Sequence, residues 1–520
     1  GSKYIAKIMR YTANLIHVNV AYNPLTDQGA RNVIDVLTMP NPEFVEDTPK
    51  TAEEEEKRKF NYSITYLDMS DTGIGHTCCE GLLETFRSNM TLSTFKMDFN
   101  HDINARECKH LFNSMRSFNK SLQNFSFADN PISAKSTGYL SRLLELKSFP
   151  LMTLNLSKCD LTETHIAFLC QYLPKSIYLS SLSINTNPIT DEGAQLLIDA
   201  ITVPHSVYQE AIDEVLKERA RLEAIANRDM SDTGHFVDHY AVQTYADLEE
   251  KEEEKAVIDM DNQKTYKLAN KETIPGAPLK YLDISMCRMS EWASKGILKA
   301  CCSRPSIQTL HLSGNSIGDN IEEIENDLVK ARFIDLHLNQ CGLLSKSAVT
   351  LFRILKHTDR VEDPLYGPTN VLGSHLRALY LANNDIHDSA VFDLRDMMLA
   401  NNELEVLDLG FNQFTNEAAS TFKEAIAIQS DTNMARKVTT LTANIVGNPC
   451  DAFLLDTPGM SRSKLSFRFN THHPGYGDKY NDGFSHISQP ARKHYFERQA
   501  ALSRKMDLTH QLEWPIKSIA

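Results

Sequence analysis

The chain offers few groups that could run a reaction, and the spacing of those few works against it. Gly314-Asn-Ser316-Ile-Gly318 spells G-x-S-x-G, in which a tight strand-to-helix turn would present the Ser316 hydroxyl for acyl transfer. Asn315 and Ile317, however, fall on a longer periodic line, so the match reads as a coincidence of that line. Asp259-Met-Asp261-Asn starts like a calcium loop but lacks the glycine and the closing glutamate. His472-His473 is a lone pair that reads as solvated. Asn124-Phe-Ser126 and Asn155-Leu-Ser157 match glycosylation sequons, yet both lie on strands of the same line. The sequence has no phosphate-binding glycine loop and no H-E-x-x-H. Of ten cysteines none forms a C-x-x-C pair, which argues against zinc. Cys78–Cys79 and Cys301–Cys302 are adjacent on helices, where neighbouring side chains point about 100° apart. Unpaired thiols in this number imply a reducing compartment. The expectation is a protein that is not an enzyme and holds no metal or cofactor.

The line itself is L-x-x-L-x-L-x-x-N/C-x-L. It stands as Leu151-x-x-Leu154-x-Leu156-x-x-Cys159-x-Leu161 and as Leu179-x-x-Leu182-x-Ile184-x-x-Asn187-x-Ile189. It returns as Leu376-x-x-Leu379-x-Leu381-x-x-Asn384-x-Ile386 and Leu404-x-x-Leu407-x-Leu409-x-x-Asn412-x-Phe414. The first inward strand residue of each unit falls at Val18, Leu67, Phe95, Phe125, Leu154, Leu182, Leu282, Leu310, Leu336, Leu379, Leu407 and Ala443. Differences of 28 recur four times (67 to 95, 154 to 182, 282 to 310, 379 to 407). That period is a long leucine-rich repeat with a full helix after each strand. Asp191-Glu-Gly-Ala-Gln-Leu-Leu-Ile and Asn416-Glu-Ala-Ala-Ser-Thr-Phe-Lys show the helical spacing. Strand alternation sends Leu154 and Leu156 inward and Thr153, Asn155 and Ser157 outward. The turn residue three places later points inward, where a small polar group satisfies backbone left open by the bend. Asn23, Asn130, Asn187, Asn315, Asn384 and Asn412 take that place, as do Cys159, Cys287 and Cys341.

Over roughly residues 12–450 the chain resembles the ribonuclease-inhibitor-like leucine-rich repeats. That group includes the Ran GTPase-activating protein, tropomodulin and CARMIL-type actin regulators, NOD-like receptors, and the repeat subunit of the ciliary nexin–dynein regulatory complex. The resemblance implies an α/β solenoid of about 12 repeats, with a curved parallel sheet and outer helices. It implies no shared task, because function lives in sites grafted on such scaffolds.

Net charge is −14 with a pI near 5.7, which argues against a generic nucleic-acid binder. No apolar run reaches the roughly 20 residues of a membrane helix, so no membrane insertion is expected. Residues 3–11 read as the helix of a preceding repeat, and the Gly-Ser-Lys opening reads as a tagged or truncated start.

Three interruptions break the solenoid of residues 1–450. Residues 41–62 hold a charged run, Thr51-Ala-Glu-Glu-Glu-Glu-Lys-Arg-Lys, which is a solvated loop or a partner-binding hook. Leu182 to Leu282 spans 100 residues, so about 72 are inserted, at 205–277. Ser206–Asp229 reads as one long helix with Val207, Ala211, Val215, Leu222 and Ile225 near one face. This charged arm either lies on the solenoid flank or projects to dock another protein. Residues 357–373 read as a surface loop. Residues 451–520 leave the repeat as a tail with a short helix. From Thr457 the tail carries ten Lys/Arg against five Asp/Glu. Phe467, Phe469, Tyr476, Tyr480 and Trp514 make it too aromatic for ordinary disorder. It caps the last repeat or runs as an arm over a partner.

Outward strand positions complete the candidate surface. Tyr66, Asp68, Tyr281, Asp283, His311, His337 and Tyr380 are its partner-binding candidates. The face is either an ordinary solvated sheet or the seat of a partner's helix or basic segment, anchored by Tyr66, Tyr281 and Tyr380. The expected function is a non-catalytic scaffold binding several other proteins in a large assembly, with no nucleic acid. The resemblance suggests a ciliary, axonemal or cytoskeletal one in the cytoplasm, with the nexin–dynein regulatory complex closest in style. The alternative is a GTPase-activating protein for a Ran-like GTPase, although that family ends in an acidic tail and this chain in a basic one. A ribonuclease-inhibitor-like binder would carry many more cysteines.

Overall fold

The computed structural model describes residues 1–12, 14–38, 63–146, 148–202, 279–358, 361–363, 367–369, 371–431, 441–445, 447–449 and 465–468. The insertions at 41–62 and 205–277 lie outside the described residues, as does the tail helix. Packing divides the chain into two units, Gly1–Ile307 with Glu362–Thr369, and Gln308–Val361 with Asn370–Ala520.

In the first unit seven three-residue strands run parallel in chain order: β1 (His17–Asn19), β2 (Tyr66–Asp68), β3 (Thr94–Lys96), β4 (Asn124–Ser126), β5 (Thr153–Asn155), β6 (Ser181–Ser183) and β7 (Tyr281–Asp283). Their central residues are paired in register, Val18 with Leu67 and so on to Leu182 with Leu282. The last pair bridges 100 residues of sequence without a slip, so the insertion leaves the ladder intact. Helices follow the strands: α1 (Ser2–Tyr11), α2 (Asp27–Ile34), α3 (His76–Ser88), α4 (Ala105–Phe118), α5 (Ala134–Ser141), α6 (Glu163–Tyr172), α7 (Asp191–Thr202) and α8 (Glu291–Cys302). The central strand residues are buried and pack beneath the helices. Where two of them are Phe95 and Phe125, their rings lie 6.3 Å apart and join Phe112 and Phe127 in one aromatic layer.

The second unit repeats the plan with β8 (Thr309–His311), β9 (Asp335–His337), β12 (Ala378–Tyr380), β13 (Val406–Asp408), β14 (Leu441–Asn444) and β15 (Leu465–Arg468). Its helices are α9 (Glu325–Val329), α10 (Ser345–Lys356), α11 (Val391–Ala400) and α12 (Asn416–Asp431). The step from Leu310 to Leu336 is only 26 residues, and there the helix shrinks to a 3₁₀ turn plus the five-residue α9.

Two boundaries differ from the sequence expectation. Residues 361–363 and 367–369 form β10 and β11, a small two-stranded sheet where a surface loop was expected. Val371 and Leu372, placed inside that interruption, are buried in the core and belong to the next repeat. β15 lies beyond residue 450 and extends the parallel sheet through Ala443 and Phe467.

Candidate interaction face

An inward turn residue shapes every repeat and holds the strand face in place. At Asn187 the side-chain oxygen accepts from the Cys159 and Leu161 N–H groups, and Nδ2 donates to the Leu156 and Ile184 carbonyls. Asn384 does the same for Cys341 and Leu343, with Leu338 and Leu381 as acceptors. Where cysteine stands instead, the thiol donates to a carbonyl of the previous repeat: Cys159 to Phe127 at 3.2 Å, Cys287 to Ile184 at 3.4 Å and Cys341 to Leu312 at 3.6 Å. Burial pushes these three thiols up to about 12, so they are structural and not nucleophilic. A left-handed residue precedes the turn residue each time, from Tyr22 to Phe411, with glycine at 314 and 447.

Sequence reasoning missed part of this frame. Thr72, Asn100 and Asn448 occupy the same turn place. A second set, Asn89, Asn119 and Asn401, stands six residues before the central strand residue. Each accepts from backbone N–H groups two and three residues ahead, and Asn89 and Asn401 also donate to carbonyls of an earlier repeat. The signal was readable as N-x-x-L-x-x-L/F at 89–95, 119–125 and 401–407.

On the first unit's outward face Tyr66 and Asp68 belong to one polar group and Asp283 ends a longer polar run from Asp98. The Tyr66 hydroxyl lies 3.3 Å from Asp68 Oδ2, and Asp68 Oδ1 accepts the Ser70 hydroxyl at 2.8 Å. Ser126 donates to Asp98 Oδ1 at 2.6 Å, and Asn155 donates to the Ser126 oxygen at 2.9 Å. Ser157 bonds both Asn155 and Ser183, and Ser183 and Asn185 reach Asp283 Oδ2. Burial, reinforced by the Asp68 charge, lifts Asp98 to about 6 against the pull of its Ser126 and Ala128 bonds and of Lys96. Tyr66 is fixed from two sides, by the His17 ring stacked at 3.7 Å and by Lys96 Nζ 5.7 Å from its centroid. Tyr281 sits on β7 in register with Ser181, half-buried.

On the second unit's face His311, His337 and Tyr380 form a column of stacked rings, 3.7 and 3.9 Å between centroids. Burial, with His311 beside it, drives the His337 imidazole well below its ordinary value. The sequence leaves these outward positions either solvated or under a partner. Asp68, Asp283, His311 and His337 are instead only 8, 7, 5 and 9% exposed. Strands of this sheet lie roughly 4.8 Å apart, so neighbours in one column cover each other. Phe467 is placed by its backbone opposite Ala443; Phe469, Tyr476, Tyr480 and Trp514 lie outside the described residues. Among the described residues no group of three or more His, Cys, Asp or Glu could hold a metal ion, and no helix is long and apolar enough to cross a membrane.

A family model described as "Leucine Rich repeat" matches residues 175–197, 304–321, 374–394 and 400–423, each straddling a strand and its turn. The chain is a leucine-rich-repeat protein of the ribonuclease-inhibitor-like kind. It is 31% identical over 152 residues to the mouse ribonuclease inhibitor, covering 28% of this chain and 32% of that protein. Against the pig ribonuclease inhibitor it is 22% identical over 331 residues, 61% of this chain and 68% of that one. Mouse NACHT, LRR and PYD domains-containing protein 14 is 27% identical over 152 residues, 29% of this chain and 15% of that protein. The chain thus spans a third or less of the mouse relatives' lengths.

Proposed function

We propose that this repeat protein is a non-catalytic scaffold that holds other proteins together in a large assembly of the ciliary, axonemal or cytoskeletal type. The observation that carries the reading is that the strand face of each unit is locked. Tyr66 is clamped by His17 and Lys96, Tyr380 by His337, and the serines and carboxylates between Asp68 and Asp283 are bonded to one another. Such side chains lose little freedom when a partner settles on them, and fixed aromatic residues make good anchors. The assembly type rests on the resemblance to the ciliary regulatory-complex subunit.

The test is affinity purification from ciliated cells with the whole chain and with Tyr66→Ala, Tyr281→Ala and Tyr380→Ala together. Specific proteins recovered by the first and lost by the second support the scaffold. Stimulated GTP hydrolysis by a Ran-type GTPase on addition of the chain would overturn it.

A further inference from the structure

The residue ahead of each inward turn residue forms a row of its own along the rim of the strand face. In the first unit one hydrogen-bond pattern joins its members. The Tyr22 N–H donates to the Ser70 carbonyl, Asp71 to Asp98, Phe99 to Ala128, Asp129 to Ser157 and Lys158 to Asn185, all at 2.7–2.9 Å. These five residues share left-handed backbone, with φ between 51 and 60°. Asp and Asn tolerate that region, whereas an aromatic residue there is uncommon. In the second unit Phe411 takes the same place and its ring fills the space over Gly447, where an added Cβ would lie 2.4 Å from it. Tyr22 is instead 52% exposed.

From Tyr22 to Lys158 the row reads aromatic, carboxylate, aromatic, carboxylate, cation. The second aromatic–carboxylate pair is served from within the chain. Lys158 Nζ bonds the Asp129 carboxylate and lies 5.9 Å from the Phe99 centroid. That pair shows what the arrangement holds, an ammonium group between a ring face and a carboxylate. Tyr22 and Asp71 repeat the pair with the same spacing, one repeat apart. Asp71 is exposed and makes no ion pair among the described residues. Across the repeat that carries Asp71, the Tyr22 and Phe99 rings come within 6.3 Å of each other, tilted by 49°. Their backbones stand two strand spacings, roughly 10 Å, apart. The rings therefore lean toward one another and wall a notch.

We infer that Tyr22, Asp71 and Phe99 receive a lysine or arginine side chain from a basic segment of a partner protein, in the way that Phe99 and Asp129 receive Lys158. A chain of net charge −14 draws such a segment toward it. The rings and the carboxylate then fix where one of its cations settles. The inference rests on the scaffold reading and adds a contact outside the strand tyrosines.

The experiment uses the full chain and a fluorescein-labelled hexalysine peptide, followed by anisotropy at physiological ionic strength. Saturable binding is expected. Tyr22→Asn and Asp71→Asn should each weaken it by about two- to fivefold, while Tyr22→Phe, which keeps the ring, should bind as the natural chain does. Asp160→Asn is the control, because it removes the same charge from another exposed left-handed position (φ 54°); it should weaken binding less than Asp71→Asn. Asparagine suits left-handed backbone, so the three Asn variants should melt no lower than the natural chain. The inference is overturned if the peptide does not bind or if Tyr22→Asn binds as the natural chain does. It also fails if Asp71→Asn loses no more than Asp160→Asn, which would mean that overall charge alone holds the peptide. Tighter binding of free spermine with the same losses would overturn it too, by making the ligand a small polyamine. The scaffold reading would survive each of these results, since its own test reads the proteins recovered through the strand tyrosines.

Discussion

A buried asparagine at the turn of a repeat satisfies backbone groups that no other atom can reach, so its loss should cost more than its size suggests. Replacing Asn384 by alanine strands the Cys341 and Leu343 N–H groups and the Leu338 and Leu381 carbonyls. Each unpaired buried group costs about 1–3 kcal/mol, with some relief from entering water. A loss of about 3–5 kcal/mol in urea unfolding is expected, whereas Cys341→Ala, which gives up one long thiol bond, should lose no more than about 2 kcal/mol. Equal losses would mean the turn is held by something other than this amide. Asp98 runs the other way. Its folded value of about 6 lies above the ordinary 3.8, so its favourable contribution is complete below 3.8 and is lost as pH rises through 6. At neutral pH the ionised group is a burden. Asp98→Asn keeps an oxygen for Ser126 and Ala128, and should stabilise the chain by about 1–2 kcal/mol at pH 7, discounted for its partial exposure. The gain should vanish by pH 4, and a gain unchanged between the two pH values would refute the ionisation account.

At the scale of elements, helices are capped from next door. Asp27, at the start of α2, accepts from the Gly75, Thr77 and Cys78 N–H groups at the start of α3, at 2.9, 2.7 and 2.8 Å. Asp191 reaches Ser290 ahead of α8, Asp319 reaches Ser347 on α10, and Asp388 reaches Thr415 ahead of α12. Each carboxylate meets the positive end of the following helix and ties two repeats together. Burial would raise Asp27, but the Cys78 and Thr77 bonds outweigh it and leave the group below 3.8. A lowered carboxylate contributes above its ordinary value and loses that contribution as pH falls through the folded one. Asp27→Ala should therefore cost about 1–2 kcal/mol at neutral pH. Melting curves of variant and natural chain should converge in acid; a constant gap would point to lost packing instead. None of these links was legible in the sequence. Periodicity marks what repeats inside a unit, and an aspartate that caps its neighbour differs locally in no way from one that caps itself.

At the scale of the whole chain, the register was the most legible feature. All twelve central strand residues, from Val18 to Ala443, were placed by the repeat line, taken up again after each interruption, because an inward residue that slips by one position turns its whole strand over. The candidate face was legible as a set of positions, though not as a set of environments. Whether Asp283 or His337 meets water depends on which side chain stands beside it across a strand gap. That neighbour can be 100 residues away, as Ser183 is from Asp283. The same fact bears on the largest insertion. β6 and β7 are joined as any two repeats are, through Leu182 and Leu282, with Ser183 and Asn185 bonded to Asp283. In a solenoid each repeat depends on its immediate neighbours and little else. Replacing residues 205–277 with a short Gly/Ser linker between Thr202 and Leu279 should thus leave the far-ultraviolet spectrum per repeat unchanged and shift the melting temperature by only a few degrees. A collapse of the transition would show that the inserted residues hold the ladder closed at β6–β7. If the shortened chain melts normally but recovers fewer partners, the insertion takes part in binding, and the strand face does not act alone.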